Sequence, residues 1–263
     1  MSRAVPIAVT PLAGRRAVIT GGGRGAGRAI ATALVQAGAE VVLVGRQEAA
    51  LREAATALGG TYHVADLGSR DALGALALVL AATSPGFDIL VNNAGLAESA
   101  PLARTTDDAW DRTLALDVTA PFVLTRALVP GFVKRGFGRV VNIASNAGLT
   151  GYAYTSAYTA AKHALVGLTR AVAMEVAGAG DVTVNALCPG FLDTEMTAAS
   201  IARIREKTQR TDEEARASLT KLSPQNRLID PAELAHAVAF LCSPLARAIN
   251  GQALPLDGGQ VMK

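Results

Sequence analysis

Residues 17–31 read Ala-Val-Ile-Thr-Gly-Gly-Gly-Arg-Gly-Ala-Gly-Arg-Ala-Ile-Ala. A β-branched apolar run ends in a glycine cluster, and an Ala/Leu-rich segment with helical character starts inside that cluster. Glycine admits positive φ and lets a ligand phosphate come close to the backbone. A helix that begins at such a turn presents unpaired N–H groups and the positive end of its dipole to an anion. Any tight strand-to-helix turn also favours glycine. What selects the dinucleotide reading is the place of the turn, directly after the first strand of a strand–helix–strand unit.

The same alternation continues outward. Short β-branched runs at Ala17–Thr20, Glu40–Gly45, Thr61–Ala65, Ile89–Asn92, Arg139–Ala144, Val182–Leu187 and Ala253–Leu256 are flanked by Gly, Asn, Asp or Pro. They read as strands. Between them Gly25–Ala37, Glu48–Leu58, Arg70–Ala82, Thr106–Arg135, Ser156–Ala177 and Pro231–Cys242 read as helices. Strands of continuous apolar character, each separated by a helix, imply a mostly parallel seven-stranded sheet covered on both faces. This is a doubly wound α/β fold, and no repeat or linker divides residues 1–263 into more than one domain. Residues 193–228 break the rhythm: they are polar, charged and without a strand, and Thr211 with Glu214 has capping-box spacing. A segment of that kind suits a lid, or an ordinary surface excursion.

Composition narrows the partners. The chain has 263 residues, half of them hydrophobic, with 18% charged and a net charge of +3. The 25 lysines and arginines do not cluster beyond Arg15-Arg16 and the Arg203/Arg205/Lys207 stretch. That distribution argues against a nucleic-acid surface. No apolar run reaches the ~20 residues of a membrane helix, the nearest being Leu73–Ala82, so no membrane partner is expected. Pro6 and Pro11 make the amino terminus a poor signal peptide. Cys188, Cys242 and three scattered histidines offer neither a disulfide framework nor a structural zinc site, and no metal is expected. A reducing, cytoplasmic setting follows as the default.

The tip of the second strand discriminates between cofactors. An NAD site wants a carboxylate there for the ribose hydroxyls. This chain has Val44-Gly45-Arg46 instead, and Arg24 rises from the glycine turn. Two guanidinium groups suit a 2′-phosphate, which favours NADP(H), unless the arginines are merely solvated.

Tyr158-Thr159-Ala160-Ala161-Lys162 puts a phenol and an ammonium one turn apart on one helix face. A phenol is a weak acid–base catalyst at neutral pH, and a neighbouring cation favours its phenolate. Such a pair suits proton exchange with a carbonyl or alcohol oxygen. The same spacing also occurs on ordinary amphipathic helices. Ser145, at the carboxyl tip of Arg139–Ala144, lies where open parallel sheets bind their ligands, although taken alone a turn serine is the commoner reading there.

Taken together, these motifs resemble the short-chain dehydrogenase/reductase family in its single-domain branch, from about Leu12 to Gly259. The glycine motif corresponds to Thr20, Gly21, Gly25 and Gly27. The adenine-side acid corresponds to Asp66, followed by Leu67. Asn92-Asn93-Ala94-Gly95 is intact, Ser145, Tyr158 and Lys162 match the catalytic residues, and Pro189, Gly190 and Thr194 match the Pro-Gly motif. Asp257-Gly258-Gly259 closes the series. The resemblance implies a Rossmann-type fold and a cofactor held by Gly21, Gly23, Arg24, Gly25, Ala26, Gly27, Arg46, Asp66, Leu67, Asn93, Ala94, Gly95, Tyr158, Lys162, Pro189, Gly190, Leu192 and Thr194. It implies hydride transfer to a ketone oriented by Ser145, with Tyr158 delivering the proton and Lys162 binding the nicotinamide ribose. Two positions depart from the pattern. Ala26 replaces the usual isoleucine. Asp117 stands where the family has a catalytic asparagine, whose main-chain carbonyl holds a water linked to the lysine. An aspartate keeps that carbonyl and adds a negative charge near Lys162.

The expected substrate is a small-molecule carbonyl, with 3-oxoacyl or polyketide-type skeletons, including thioester-linked ones, among the candidates. Asn146, Leu149, Tyr152, Tyr154, Phe191, Leu192 and Met196 are the expected lining. Arg203, Arg205 and Lys207 are candidates for touching an acyl carrier, against the plainer reading of a solvated lid. Two other functions stay open: an NAD-dependent secondary-alcohol or 3-hydroxyacyl dehydrogenase, and a cofactor-sensing or scaffold protein with a vestigial site. The resemblance further implies a homotetramer or homodimer.

Overall fold

The computed structural model describes residues 10–262; the amino-terminal reading that rested on Pro6 lies outside them. Seven strands, β1 (Arg16–Thr20), β2 (Glu40–Gly45), β3 (Thr61–Val64), β4 (Ile89–Asn92), β5 (Phe137–Ile143), β6 (Asp181–Pro189) and β7 (Ala253–Leu256), form one sheet. Their order is β3-β2-β1-β4-β5-β6-β7. Every pairing is parallel, so the sheet goes beyond the mostly parallel expectation. Strand ends differ from the sequence reading by one or two residues, as is usual where termini fray.

Strand side chains alternate between two apolar cores, which is why these strands read as continuous apolar runs. Ile19, Val41 and Leu43 face α1 (Gly25–Gln36) and, later in the chain, α9 (Pro231–Cys242), through Ile30, Leu34, Leu234 and Val238. Val18, Val42 and Val44 belong to the opposite core. There they join Leu73 and Leu76 of α3 (Arg70–Ala82) and Leu124 and Phe132 of α5 (Ala120–Arg135). The remaining helices are α2 (Glu48–Leu58), α4 (Asp107–Leu114), α6 (Ser156–Val176), α7 (Glu195–Thr208) and α8 (Asp212–Thr220).

The stretch expected as one helix, Thr106–Arg135, is a rod with a fault in it. Between α4 and α5 the backbone makes a single π turn, Ala115–Thr119. Pro121 supplies a reason: it has no N–H to give the carbonyl of Asp117 four residues back. Among the described residues, Asp107–Arg135 is also the one helix long and apolar enough to cross a bilayer. Run length passed over it because charges and prolines interrupt it. Leu124, Leu128 and Phe132 pack in the second core, so packing within the protein accounts for its composition.

The excursion at 193–228 holds α7 and α8. Its two ends are pinned together by parallel bridging of Leu192 with Ile229. The capping box at Thr211 is formed: its hydroxyl accepts the Glu214 N–H at 3.2 Å, and its own N–H reaches the Glu214 carboxylate at 2.9 Å.

The strand order reverses between β1 and β4, and the crevice at such a reversal is where doubly wound sheets bind ligands. The carboxyl ends of β1, β4, β5 and β6 therefore deliver the glycine turn, Asn92–Gly95, Ser145 and Pro189-Gly190 to one edge.

Candidate active site

The glycine turn is built around close approaches. Gly21 has φ +68, and a Cβ there would stand 2.8 Å from the Asn93 amide nitrogen. A Cβ on Gly27 would overlap the Gly21 carbonyl, so α1 can sit against the turn only with glycine in that place. Gly23 is spent on α2 packing, because a Cβ there would lie 3.2 Å from Leu51 N. Gly25, with φ +52, faces the Thr194 methyl, which would lie 3.8 Å from a Cβ on that glycine, so the Pro-Gly segment and the glycine turn bound one space. No side chain caps α1. By contrast, Ser69, Thr106, Thr211 and Asp230 cap α3, α4, α8 and α9. Because α2, α6 and α7 also lack a side-chain cap, it is the close-packed glycine turn ahead of α1 that makes its first-turn N–H groups fit a dinucleotide pyrophosphate.

Thr20 locks this turn to the loop after β4. Its hydroxyl oxygen accepts the N–H groups of Asn93 and Ala94, each at 2.9 Å, and the Asn93 amide donates to the Thr20 carbonyl at 2.9 Å. Asn93 is therefore tied to the protein itself. Beneath it runs a buried polar ladder. Asn92 donates to Asn142 at 2.8 Å, and Asn142 donates to the Thr169 hydroxyl of α6 at 2.8 Å. The ladder sets α6 against β4 and β5. Sequence reasoning passed over Asn142 and Thr169; their signal is a polar residue at an apolar strand or helix position.

Ser145 lies just past β5 and opens a 3₁₀ turn, its Oγ accepting the Ala147 N–H at 3.1 Å and donating to Asn146 Oδ1 at 3.3 Å. Gly148 of that turn abuts α6, since a Cβ there would come 2.8 Å from the Lys162 carbonyl. On α6, the Lys162 ammonium donates to the Ile143 carbonyl at 3.1 Å and stands 5.5 Å from the centre of the Tyr158 ring. Tyr158 is half-buried and Lys162 is buried. The carboxylate of Asp117, on the π turn, lies 3.9 Å from the Lys162 ammonium. Its Oδ1 accepts the Leu96 N–H at 3.1 Å. Burial pushes the Asp117 carboxyl upward, opposed by the Lys162 charge and that N–H. Below the site, burial pushes the Cys188 thiol up to about 11.

Other expected residues are placed less simply. The Arg24 guanidinium pairs with Glu195, the first residue of α7, at 3.0 Å. Sequence reasoning had no signal for that partner. Arg46 is exposed at the tip of β2. Asp66 is exposed and folds back to accept the Gly68 N–H at 3.0 Å, while Leu67 is buried. Two arginines expected for carrier contact are held by the chain itself. Arg203 donates to the Ala97 carbonyl at 3.4 Å, and Arg205 pairs with Asp212 at 2.8 Å. Tyr154 has φ 67 and its carbonyl accepts the Ala100 N–H at 2.8 Å, joining the loops on either side of the cleft. Tyr152, its hydroxyl held by Gln260 at 2.8 Å, is pushed up by burial and by the Asp257 charge. Asp257 itself accepts the N–H groups of Gly259, Gln260 and Val261, a structural role for the Asp-Gly-Gly motif.

A family model described as enoyl-(acyl carrier protein) reductase matches residues 21–260. The chain belongs to the short-chain dehydrogenase/reductase family. Among its relatives, the 3-oxoacyl-[acyl-carrier-protein] reductase of Vibrio cholerae is 36% identical over 253 residues, covering 95% of this chain and 99% of that protein. The D-beta-hydroxybutyrate dehydrogenase of Cupriavidus necator is 34% identical over 256 residues, with the same coverage of 95% and 99%. The crystal structure of a candidate NAD(P)-dependent gluconate 5-dehydrogenase from Beutenbergia cavernae, with NADP bound at low occupancy, is 40% identical. It superposes with a TM-score of 0.87 over 96% of this chain and 99% of that one. The doubly wound sheet and the tyrosine–lysine pair of this short-chain dehydrogenase/reductase thus sit in a frame shared along nearly its whole length.

Proposed function

We propose that this protein is an NADP(H)-dependent oxidoreductase that reduces a ketone to a secondary alcohol. The observation that carries the reading is the convergence on one edge of Ser145, Tyr158 and Lys162, with the ammonium anchored on Ile143 O and set over the phenol ring. The glycine turn from Gly21 to Gly27 and the uncapped start of α1 would hold the pyrophosphate. Arg24 and Arg46 would take the 2′-phosphate, Asp66 and Leu67 the adenine side, and Asn93, Ala94 and Gly95 the neighbouring ribose side. Pro189, Gly190, Leu192 and Thr194 would face the nicotinamide. NADP bound to the 40% identical Beutenbergia protein supports this choice of cofactor.

When bound, the reduced nicotinamide supplies the hydride. The chain's own residues place the carbonyl and move the proton. The Ser145 hydroxyl donates to the ketone oxygen, Tyr158 gives its phenolic proton to that oxygen, and Lys162 binds the nicotinamide ribose while favouring the phenolate left behind. In the oxidative direction the same proton returns to Tyr158.

Relatives named for 3-oxoacyl, hydroxybutyrate and sugar-acid substrates share one chemistry, interconversion of a carbonyl and a secondary alcohol. Within that class we favour a 3-oxoacyl or polyketide-type ketone, because half-buried Leu149, Phe191 and Leu192 make much of the expected lining apolar. We also favour a homotetramer or homodimer in a cytoplasmic setting. Exposed Trp110, Phe122, Val133 and Met174 on the long helices support the assembly, and the free buried pair Cys188 and Cys242 suits reducing conditions.

A ketone panel with NADPH tests the reading. Turnover is expected for the parent and loss of it in Tyr158→Phe, with NADPH affinity nearly unchanged. Full activity in that variant would remove the phenol from the reaction. Cofactor binding with no ketone reduced would favour a sensing or scaffold role.

A further inference from the structure

We propose that Asp117 is a positioning residue: an ionised carboxylate fixed as the direct counter-charge of Lys162, which sets the pH at which the Tyr158 phenol ionises. The role of Tyr158 in proton transfer rests on the function proposed above; the pairing of Asp117 with Lys162 does not.

The π turn is what aims this side chain. It carries Asp117 inward to complete burial, and Pro121 leaves the turn without one of the N–H groups that would straighten it. Gly95 makes room for the charge, because a Cβ there would stand 2.6 Å from Asp117 Oδ1 and 3.4 Å from Lys162 Nζ. The loop after β4 and α6 therefore meet the carboxylate from two sides, with the Leu96 N–H from the loop and the Lys162 ammonium from the helix. Among the described residues, Lys162 is the one charged side chain paired with Asp117. Cys188, the thiol beneath Ser145, is held neutral by burial across the physiological range.

The hydrogen-bonding pattern favours the ionised form. Oδ1 receives an N–H and faces an ammonium, both of which suit an acceptor. Oδ2 is buried with no partner and burial raises this carboxyl, so the charge rests on the two contacts at Oδ1. Two opposite charges 3.9 Å apart in a water-poor site interact strongly. The carboxylate therefore offsets part of the field that Lys162 exerts on the phenol, a direct ionic contact that an asparagine amide at this position cannot supply.

The test is a tyrosinate titration by ultraviolet absorbance on the cofactor-free protein. The chain has four tyrosines, so the difference between parent and Tyr158→Phe isolates one of them. In Asp117→Asn, nearly isosteric with the parent, the Tyr158 signal is expected to appear about one pH unit lower, since the ammonium is then unopposed. The pH profile of turnover should move the same way. Asp117→Ser serves if the asparagine variant does not fold. An unchanged or higher titration in the folded variant overturns the proposal, because Asp117 would then carry no charge that opposes Lys162. A lowered titration with turnover that survives Tyr158→Phe would leave the counter-charge standing and overturn the catalytic reading instead.

Discussion

The Arg24 guanidinium lies 3.0 Å from the Glu195 carboxylate, so the glycine turn and the first residue of α7 meet through a single ion pair. The arginine proposed for the 2′-phosphate thus already has an anionic partner, and that partner belongs to the segment 193–228. A bound phosphate and Glu195 would compete for one guanidinium.

Removing the competitor should therefore sharpen cofactor choice. Both side chains are largely exposed, and pairs of this kind contribute about 0.2–1 kcal/mol. Glu195→Gln should tighten NADPH binding by at most about fivefold and leave NADH binding unchanged. Arg24→Ala should weaken NADPH binding and cancel the effect of the first substitution. Titrations followed by nicotinamide fluorescence would read both. An equal gain for NADH and NADPH would separate Glu195 from the phosphate site.

Thr20 is expected to matter for stability as well as for binding. Its hydroxyl accepts two N–H groups, from Asn93 and Ala94. Thr20→Val keeps the shape and leaves both donors without that acceptor, a change that costs about 1–3 kcal/mol for each group shut off from water. Asn93 and Ala94 are only half-buried, so the lower end is expected. Urea unfolding should show a lower midpoint with an unchanged slope, and cofactor affinity should fall with it. A midpoint equal to that of the parent would mean that water replaces the hydroxyl.

Acid should loosen the start of α9. Arg227, hydrogen-bonded to Glu233 at 2.9 Å, and the Asp230 N–H hold the Glu233 carboxyl down at about 2, against an ordinary value of 4.5. The folded state therefore binds this proton more weakly than the unfolded chain. The stabilisation is complete above pH 4.5 and fades as pH falls toward 2. Glu233 is exposed, so the effect is small. Thermal melts between pH 5 and pH 2 should fall less steeply for Glu233→Gln than for the parent. Parallel curves would show that the pair has no bearing on acid stability.

Reading residues 17–31 outward already yields the alternating sheet and helices, the glycine turn, the start of α9 at Pro231 and the capping box at Thr211. It also sets Tyr158 and Lys162 on one helix face. All of these depend on periodicity or on contacts within a few residues, where chain geometry alone decides who meets whom. The partners of Arg24 and Arg203 are different. Glu195 and the Ala97 carbonyl come from distant segments, and each was brought into reach by the packing of helices on the sheet, whereas the charge of Asp117 near Lys162 was already implied by the family resemblance. The π turn belongs with them: Pro121 marks a weak point in the rod, but the direction of the fault depends on Gly95 leaving space for a carboxylate beside α6. Composition and spacing are properties of the chain. A guanidinium takes the nearest opposite charge, and only the assembled layers determine which one is near.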